Sequence, residues 1–361
     1  MKAVVKVGTS SITTEHGELA DAALSQLADE IAAARAAGHQ VVLVCSGAIA
    51  AGLPALGFDR RPSDIATLQA VAAVGQPRLM ERVSALLTER GLVAGQVLLT
   101  PHDFGQRAQY LHARQTLGCL LDLGVVPVVN ENDTIADDEI RYGDNDLLAA
   151  LVSHLVQADV LLLLTDTDGL FTADPRFDDG ASLIEEVVEV DAALEAVAGG
   201  AGSARGSGGM ASKLAAAKIA AWSGVRAVIS AADTPGVVLD AIDGHPTGTL
   251  VHPRPTRLSS RKLWIAFALG AAGRVVVDAG ARRALAHDHR SLLPAGVRAV
   301  EGHFEADDAV EVVTDDGVAF AKGLVRYDSG ALARVAGRRT PDLPEGSPQE
   351  VIHRDDLVVL T

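Results

Sequence analysis

The first two-thirds of the chain alternates short apolar runs, typical of buried strands, with longer segments whose apolar residues recur at helical spacing. Helices between successive strands favour parallel pairing, because a crossover returns the chain to the same edge of the sheet. The candidate strands are the run that begins at Lys2, 41–44, 96–99, 125–129 and 160–164; the candidate helices are 21–37, 63–90 with an interruption at Gly75 and Pro77, 107–123 and 147–156. This alternation predicts an α/β fold with an open, mainly parallel sheet sandwiched by helices.

The first strand ends in a turn that suits an anion. Strand alternation places Val5 and Val7 on one face and Lys6 on the other, while Gly8 lets backbone amides approach a phosphate without a Cβ in the way. A second Gly-rich run, 206–213, also ends in a lysine and leads into an Ala-rich helix. Two such loops can clamp one polyphosphate.

Polar residues also follow the later strands. Ser46-Gly-Ala follows the second strand, Asn130-Glu-Asn-Asp133 follows the fourth, and Thr165-Asp-Thr-Asp-Gly169 follows the fifth. Between the last two, Gly143-Asp-Asn-Asp146 precedes an apolar helix. Caps and turns explain one or two of the acids and amides in 130–133 and 143–146, but do not readily explain six. Since open α/β sheets bind ligands at the carboxyl ends of their strands, these segments predict a binding site.

The Gly-rich run has a rival interpretation. The P-loop pattern cannot be laid over 206–213, but residues 206–211 match the Gly-x-Gly-x-x-Gly/Ala fingerprint of dinucleotide-binding proteins. That fingerprint should follow a strand directly, whereas the preceding residues, 198–205, have the composition of a loop. An anion site at a helix start is therefore favoured. A dinucleotide oxidoreductase stays an alternative, which NAD(H) binding in place of ATP would support.

Charge and cysteine content limit the function classes. The chain has 31 Lys and Arg against 47 Asp and Glu, a formal charge of −16, and only 3% aromatic residues. This balance opposes attraction of nucleic acid or anionic membrane, so a bound anion must be held by local cations, amides or a metal. Cys45 and Cys119 lie in apolar runs without metal-ligand spacing, which predicts buried free thiols in a reducing cytoplasm. No signal peptide or membrane span is evident, and cytoplasmic location is expected.

The composition changes from about Pro253, and residues 253–271 have the character of a linker. Short strands are predicted at 274–277, 309–314 and 357–360, with a hairpin around Asp315-Asp-Gly317. With 361 residues, 48% of them hydrophobic, the chain is long enough for two cores. We therefore expect a small β-rich domain at 272–361 after a larger domain at 1–252.

The motifs, taken in order, resemble those of the glutamate 5-kinases (γ-glutamyl kinases) of the amino acid kinase family. They are Lys6-Val-Gly-Thr-Ser10, Ser46-Gly-Ala-Ile-Ala-Ala-Gly52, Asn130-Glu-Asn-Asp133, Gly143-Asp-Asn-Asp146, Leu164-Thr-Asp166, Thr172-Ala-Asp-Pro-Arg176 and Gly208-Gly-Met-Ala-Ser-Lys213. The segments 275–280, 291–296 and 351–356 resemble the PUA domain that follows the kinase domain in many members. The resemblance covers essentially the whole chain.

The resemblance implies roles for particular residues. Lys6 and Lys213 would contact the ATP phosphates, and Asp146 would orient both lysines. The residues implied for glutamate are Ser46, Asp133 and Asn145, and those for ATP are Lys6, Gly8, Thr165, Asp166, Ser207, Gly208, Gly209, Met210, Ala211, Ser212 and Lys213. Two departures, Ser207 where threonine is frequent and Ala211-Ser212 for a Ser-Thr pair, put particular hydroxyl contacts in doubt.

The reaction implied is synthesis of γ-glutamyl phosphate from glutamate and Mg-ATP, the first step of proline synthesis, with proline as the common inhibitor. Mg²⁺ would be held mainly by the phosphates, without a direct protein ligand, and a homodimer or homotetramer is expected. A sister kinase for aspartate, acetylglutamate, carbamate or UMP is the closest rival. PUA domains bind RNA elsewhere, but the acidic chain gives RNA binding no electrostatic support. Tight, salt-sensitive RNA affinity would promote an RNA-binding alternative.

Overall fold

The computed structural model describes residues 1–14, 18–135, 144–199 and 209–360, which form two compact units, Met1–Arg257 and Leu258–Thr361. The first unit contains the strands expected from the sequence. Its described strands are β1 (Lys2–Val7), β2 (Gln40–Cys45), β3 (Ala94–Leu99), β4 (Val126–Glu131), β5 (Val160–Thr165), β6 (Glu186–Val187), β7 (Arg226–Ala231) and β8 (Thr249–Val251). They form one sheet in the order β3-β4-β2-β1-β5-β7-β8-β6, parallel except where β8 runs antiparallel to β7.

Helices cover both faces of this sheet. Those described in the first unit are α1 (Thr9–Ile12), α2 (Asp21–Ala36), α3 (Ala48–Gly52), α4 (Ile65–Glu89), α5 (Pro101–Gly105), α6 (Arg107–Asp122), α7 (Asp144–Leu155), α8 (Ala192–Gly199), α9 (Met210–Trp222) and α10 (Val237–Asp243). The predicted α/β class is therefore confirmed. Helices α2, α4 and α10 share one core with the strands, and α7 packs against β1, β4, β5 and α9.

The predicted alternation along β1 is confirmed. Val5 and Val7 are fully buried in the core that β1 shares with α2, whereas the Lys6 side chain projects to the other face and meets α7. All six residues of β5, the neighbour of β1, are buried, as expected of a central parallel strand. The alternation thus places Val5 and Val7 on one face of β1 and Lys6 on the other.

Two expectations in this unit were wrong. The predicted interruption at Gly75 and Pro77 is absent, because α4 runs through both residues. Gly75 instead marks a close helix crossing: a Cβ there would lie 1.8 Å from the carbonyl oxygen of Ala48 in α3. Cys45 is buried as predicted, but Cys119 is exposed on α6, where only Leu117 and Leu121 are buried.

The crossing of α3 and α4 predicts opposite effects for two helical glycines. Gly75→Ala should lower the free energy of unfolding by about 1–3 kcal/mol or more, because the new methyl meets backbone atoms that cannot give way. Gly118→Ala in α6, where no atom lies within 4 Å of the added methyl, should raise it by up to about 1 kcal/mol. Urea unfolding of both variants measures the difference. Equal changes in the two variants would contradict the close crossing.

The second unit carries a separate five-stranded sheet in the order β10-β9-β11-β12-β13. Its described elements are β9 (Gly273–Val277), β10 (Val297–Gly302), β11 (Ala309–Val313), β12 (Ala319–Leu324), β13 (Leu357–Val359), α11 (Ser260–Leu263), α12 (Ala279–Ala286) and α13 (Ser329–Val335). The predicted hairpin at 315–317 is confirmed as the antiparallel connection between β11 and β12. Within the segment expected to be a linker, α11 is helical and Leu263 and Ile265 are buried.

Candidate active site

The central strands end at one level, which brings the polar turns of the sequence together. Val7, the last residue of β1, pairs with Cys45 of β2 and with Leu164 of β5. The residues that follow, such as Gly8 and Ser46, therefore lie side by side at the carboxyl edge. Since β2 and β5 flank β1 on opposite sides, this edge is where the strand order reverses, the usual ligand position in open α/β sheets.

Lys6, Asp146 and Lys213 meet at this edge, although 207 positions separate the two lysines in sequence. Lys6 Nζ lies 2.6 Å from Asp146 Oδ1, and Lys213 Nζ lies 3.3 Å from Asp146 Oδ2. All three side chains are buried, Asp146 to 98%. The two lysines therefore share one carboxylate.

Two helix starts supply the partners of Lys6. Asp146 lies in the first turn of α7, which begins at Asp144, three residues before the predicted helix start at Leu147. Lys213 lies in the first turn of α9, and α7 packs along α9. Ser212, which the sequence assigned to the nucleotide only, also donates through its hydroxyl to Asp146 Oδ2 at 2.6 Å. Asp146 is thus held by three side chains from two other elements.

Burial and charge act in opposite directions on this cluster. Burial alone would raise the pKa of Asp146, but the two lysines outweigh it and hold that pKa below its ordinary value. Burial, reinforced by Lys213, lowers the pKa of Lys6, and the carboxylate of Asp146 opposes this shift. With both lysines protonated the cluster has one net positive charge in a site of low dielectric. Such a site attracts a phosphoryl group.

The residues expected to hold the amino acid lie beside this cluster. Ser46 directly follows β2 and is buried, and the next residue, Gly47, has a φ of +108°, which favours glycine. Asn145 directly precedes Asp146, and its Oδ1 accepts a hydrogen bond from the backbone amide of Glu131 at 3.3 Å. The strand end at Glu131 and the start of α7 are thereby joined.

Asp133 is the third of these residues and has an unusual pKa. It follows β4 by two residues and its carboxyl is largely withdrawn from water. Burial raises the pKa of Asp133 to about 6, and the positive charge of Arg61 opposes part of that rise. A carboxylate that is costly to bury is stabilised when a cationic ligand group arrives.

Sequence reasoning missed Gln76 of α4. Its Oε1 accepts a hydrogen bond from Asn130 Nδ2 at 2.7 Å, and Asn130 is the penultimate residue of β4, the strand that leads to Asp133. No signal in the sequence identifies Gln76, because one glutamine within a long helix is indistinguishable from a surface residue. Only the close crossing at Gly75 brings it to the site.

The residues expected at the nucleotide lie on the other side of β1. Thr165 ends β5, is buried, and donates through its hydroxyl to Asp166 at 3.1 Å. Gly8 follows Val7 with extended backbone, and a Cβ there would lie 3.5 Å from Lys6 Nζ. Of the Gly-rich run, Gly209 and Met210 to Lys213 are described, whereas Ser207 and Gly208 lie outside the described residues.

A cavity of about 230 Å³ adjoins Thr165 and Asp166. Its wall is formed by the ends of three strands and by α1 and α2, with Ser11, Gln26 and Asp233 as further polar residues. Neither lysine of the cluster is among the described residues that line it. It therefore lies next to the phosphate-binding candidates rather than between them.

The described ranges contain no group of three or more His, Cys, Asp and Glu placed to hold a metal ion. Both oxygens of Asp146 are already engaged by side chains, and the side chain of Asp144 lies outside the described part of the chain. Among the helices that the structure describes, none combines the length and apolar character needed to cross a bilayer.

Known proteins resemble both units. The model of the amino acid kinase family matches residues 1–230, and the PUA domain model matches residues 273–345. Three similar proteins, each named glutamate 5-kinase, come from Azoarcus sp. (strain BH72), Mycobacterium avium (strain 104) and Moorella thermoacetica (strain ATCC 39073 / JCM 9320). They are 48%, 48% and 45% identical, over 99% of this chain and 97%, 96% and 96% of their own lengths.

The family model covers more than half of the chain, and these identities extend over both units. A dinucleotide oxidoreductase is not supported by any of these matches. The chain belongs to the amino acid kinase family and, within it, to the glutamate 5-kinases that carry a PUA domain after the kinase domain.

Proposed function

We propose that the chain transfers the γ-phosphoryl group of ATP to the γ-carboxylate of L-glutamate, forming L-glutamyl 5-phosphate for proline biosynthesis. The observation that carries this proposal is the meeting of Lys6 and Lys213 on Asp146 at the carboxyl edge of the sheet. The names and full-length identity of the relatives support glutamate as the acceptor.

Phosphoryl transfer to a carboxylate requires positively charged groups more than it requires a general base. A γ-carboxylate is ionised at neutral pH, so its oxygen can attack the γ-phosphorus without losing a proton. The new carbon–oxygen–phosphorus linkage forms while the bond between the γ-phosphorus and the bridging oxygen breaks, and ADP leaves with that oxygen. Two anions approach each other in this step, and Lys6 and Lys213 would neutralise the phosphoryl oxygens.

Each side of the cluster would hold one substrate. Glutamate would be bound by Ser46, Asp133 and Asn145, with the carboxylate of Asp133 facing the α-ammonium group. ATP would be bound by Gly8, by Thr165 and Asp166, and by the 207–213 segment. Mg²⁺ would arrive with the triphosphate and neutralise part of its charge. Asp146 would act on it only indirectly, since both of its oxygens hold side chains.

A panel of acceptors tests the proposal. ADP release, followed by a coupled assay with Mg-ATP, should be stimulated by L-glutamate and not by aspartate, acetylglutamate, carbamate or UMP. Stimulation by one of these others, without stimulation by glutamate, would refute the proposal. The same assay with proline tests the inhibition proposed from the family resemblance. A homodimer or homotetramer is proposed on the same ground and is tested by light scattering.

The raised pKa of Asp133 predicts how kcat/KM for glutamate falls at acidic pH. With a pKa of about 6, this carboxyl becomes neutral as the pH falls and no longer attracts the α-ammonium group of glutamate. We expect kcat/KM for glutamate to fall roughly tenfold per pH unit below pH 6, since the γ-carboxylate itself protonates only near pH 4.3.

Asp133→Asn is the control, because its amide does not titrate in this range. The variant should have a low kcat/KM for glutamate and a flat profile between pH 5 and about 7. The kcat/KM for glutarate, which lacks the α-amino group, should fall little on this substitution. If the variant retains the wild-type acidic limb, Asp133 is not the titrating group.

A further inference from the structure

One backbone amide fixes the orientation of two side-chain amides at the acceptor side. The N–H of Glu131 donates to Asn130 Oδ1 at 2.9 Å and to Asn145 Oδ1 at 3.3 Å. A backbone N–H can only donate, so the atoms that face it must be the oxygens of the two amides. The nitrogen of each side-chain amide therefore points away from Glu131.

This orientation extends to Gln76. Because Asn130 presents Nδ2 to Gln76, the glutamine must accept through Oε1, which it does at 2.7 Å. Gln76 Nε2, with two N–H donors, is then directed away from Asn130. Among the described residues, neither Gln76 Nε2 nor Asn145 Nδ2 donates a hydrogen bond to a protein acceptor. Gln76 is only half-buried, so its donors are open to a ligand.

The helix crossing places Gln76 beside the other acceptor-side residues. Its neighbour Gly75 touches the carbonyl of Ala48, two residues beyond Ser46, and a Cβ on Gly75 would also lie 2.5 Å from the amide of Gly52. Through Asn130, Gln76 is also joined to the strand end that leads to Asp133. Gln76 thus lies between the Ser46 turn and the 130–133 turn.

These groups match the chemistry of a free α-amino acid. The half-buried carboxylate of Asp133 suits an ammonium group, and amide N–H donors suit a carboxylate. Asn145 precedes Asp146, which holds the two lysines, so the donors of Asn145 lie on the reacting side. The hydrogen bonds lead from Asn145 to the amide of Glu131, then to Asn130, and then to Gln76. Along this chain Gln76 is the residue furthest from the lysines.

We propose that Gln76 donates a hydrogen bond to the α-carboxylate of the acceptor and so selects α-amino acids. The proposal rests on the proposed function, since it assigns one more contact to the same glutamate. The rival role is structural: Gln76 would only hold Asn130 in place, through the Oε1 contact.

Two substitutions separate these roles. Gln76→Met removes both the acceptor for Asn130 and the donors, whereas Gln76→Glu keeps an acceptor for Asn130 and replaces the donors by a carboxylate oxygen. The acceptors compared are L-glutamate and 4-aminobutyrate, which is glutamate without its α-carboxylate. Each is measured as kcat/KM, or as an inhibition constant against glutamate where it is not phosphorylated. Gln115→Met, at an exposed position of α6, is the matched control, and thermal unfolding checks that each variant is folded.

We expect both Gln76 variants to lose about 10- to 100-fold in kcat/KM for glutamate, the usual cost of one hydrogen bond to a charged group. Gln76→Glu should lose at least as much as Gln76→Met, because its carboxylate repels that of the substrate. The constants for 4-aminobutyrate and the KM for ATP should change less than about threefold.

Two results would overturn the inference while leaving the proposed function intact. One is a Gln76→Glu enzyme with wild-type kcat/KM for glutamate, which would assign Gln76 to holding Asn130. The other is an equal loss for glutamate and 4-aminobutyrate in both variants. A wild-type enzyme without glutamate-dependent activity would instead overturn the inference and the proposed function together.

Discussion

Replacing Lys213 by alanine is expected to lower kcat about 100- to 1000-fold, the usual effect of removing one group that stabilises transition-state charge. Lys213 Nζ lies 3.3 Å from Asp146 and shares that carboxylate with Lys6, so a phosphoryl group at the carboxyl edge would meet both ammonium groups. The KM values should change less than kcat, because Lys213 would stabilise the negative charge on the phosphoryl oxygens more strongly during transfer than in the bound substrate. Steady-state kinetics with glutamate and Mg-ATP measures the loss.

Lys218→Ala is the matched control for this substitution. Lys218 lies in the same helix, five positions on, and pairs at 2.7 Å with Glu195, whose side chain is 46% exposed. An ion pair at the surface contributes about 0–1 kcal/mol, so this variant should turn over within about twofold of the wild type. Near-normal turnover of a folded Lys213→Ala enzyme would remove Lys213 from the mechanism.

Asp146→Asn is expected to lower both stability and turnover. The substitution leaves two buried ammonium groups without their shared carboxylate, and removal of one partner from a buried ionic cluster costs about 3–5 kcal/mol of unfolding free energy. Turnover should fall as well, because Lys6, Lys213 and Ser212 all take their orientation from this carboxylate.

The pH dependence of this loss has a definite sign. Lys6 and Lys213 hold the pKa of Asp146 below its ordinary value, so the carboxylate stabilises the folded state above its unfolded pKa of about 3.9. That contribution disappears as the pH falls through the folded pKa. The difference in unfolding free energy between wild type and Asp146→Asn should therefore be constant near neutrality and shrink below about pH 4.

Urea unfolding from pH 3 to about 7 measures this difference, with the wild type and the variant compared at each pH. Asp159→Asn is the control, since Asp159 is exposed and, among the described residues, its side chain accepts a hydrogen bond only from the backbone amide of Lys2. Its effect should stay near 1 kcal/mol or below. If Asp146→Asn proves as stable as the wild type at neutral pH, the ammonium groups of Lys6 and Lys213 do not form stabilising ion pairs with that carboxylate.

The sequence predicts those parts of the fold that depend on local patterns. Apolar runs such as 160–164 are typical of buried strands, and the β1 alternation assigns Lys6 to the face opposite Val5 and Val7. The polar turns could be assigned to one edge because parallel strands all end there. The pairing of Lys6 with Lys213 came from the family motifs and the likeness of two Gly-rich turns, and not from any local pattern.

The features that the sequence did not predict depend on contacts between distant elements. Gly75 and Pro77 look like helix breakers, but Gly75 is needed because the backbone of α3 occupies the place of its side chain. Cys119 lies in an apolar run, yet α6 buries only part of its surface and leaves the thiol exposed. Gln76 reaches the candidate site through the α3–α4 crossing, which no residue pattern within α4 indicates.

Isotope transfer from glutamate to phosphate tests the central claim most directly. The enzyme is supplied with ATP, Mg²⁺ and L-glutamate that carries ¹⁸O in its γ-carboxylate, and hydroxylamine then cleaves the acyl phosphate at carbon. Attack by the γ-carboxylate oxygen on phosphorus leaves that oxygen bridging carbon and phosphorus, so the released phosphate should carry one ¹⁸O, detected by mass spectrometry. Unlabelled phosphate from a glutamate-stimulated reaction would show that another group accepts the phosphoryl, contrary to transfer onto glutamate at the Lys6–Asp146–Lys213 cluster.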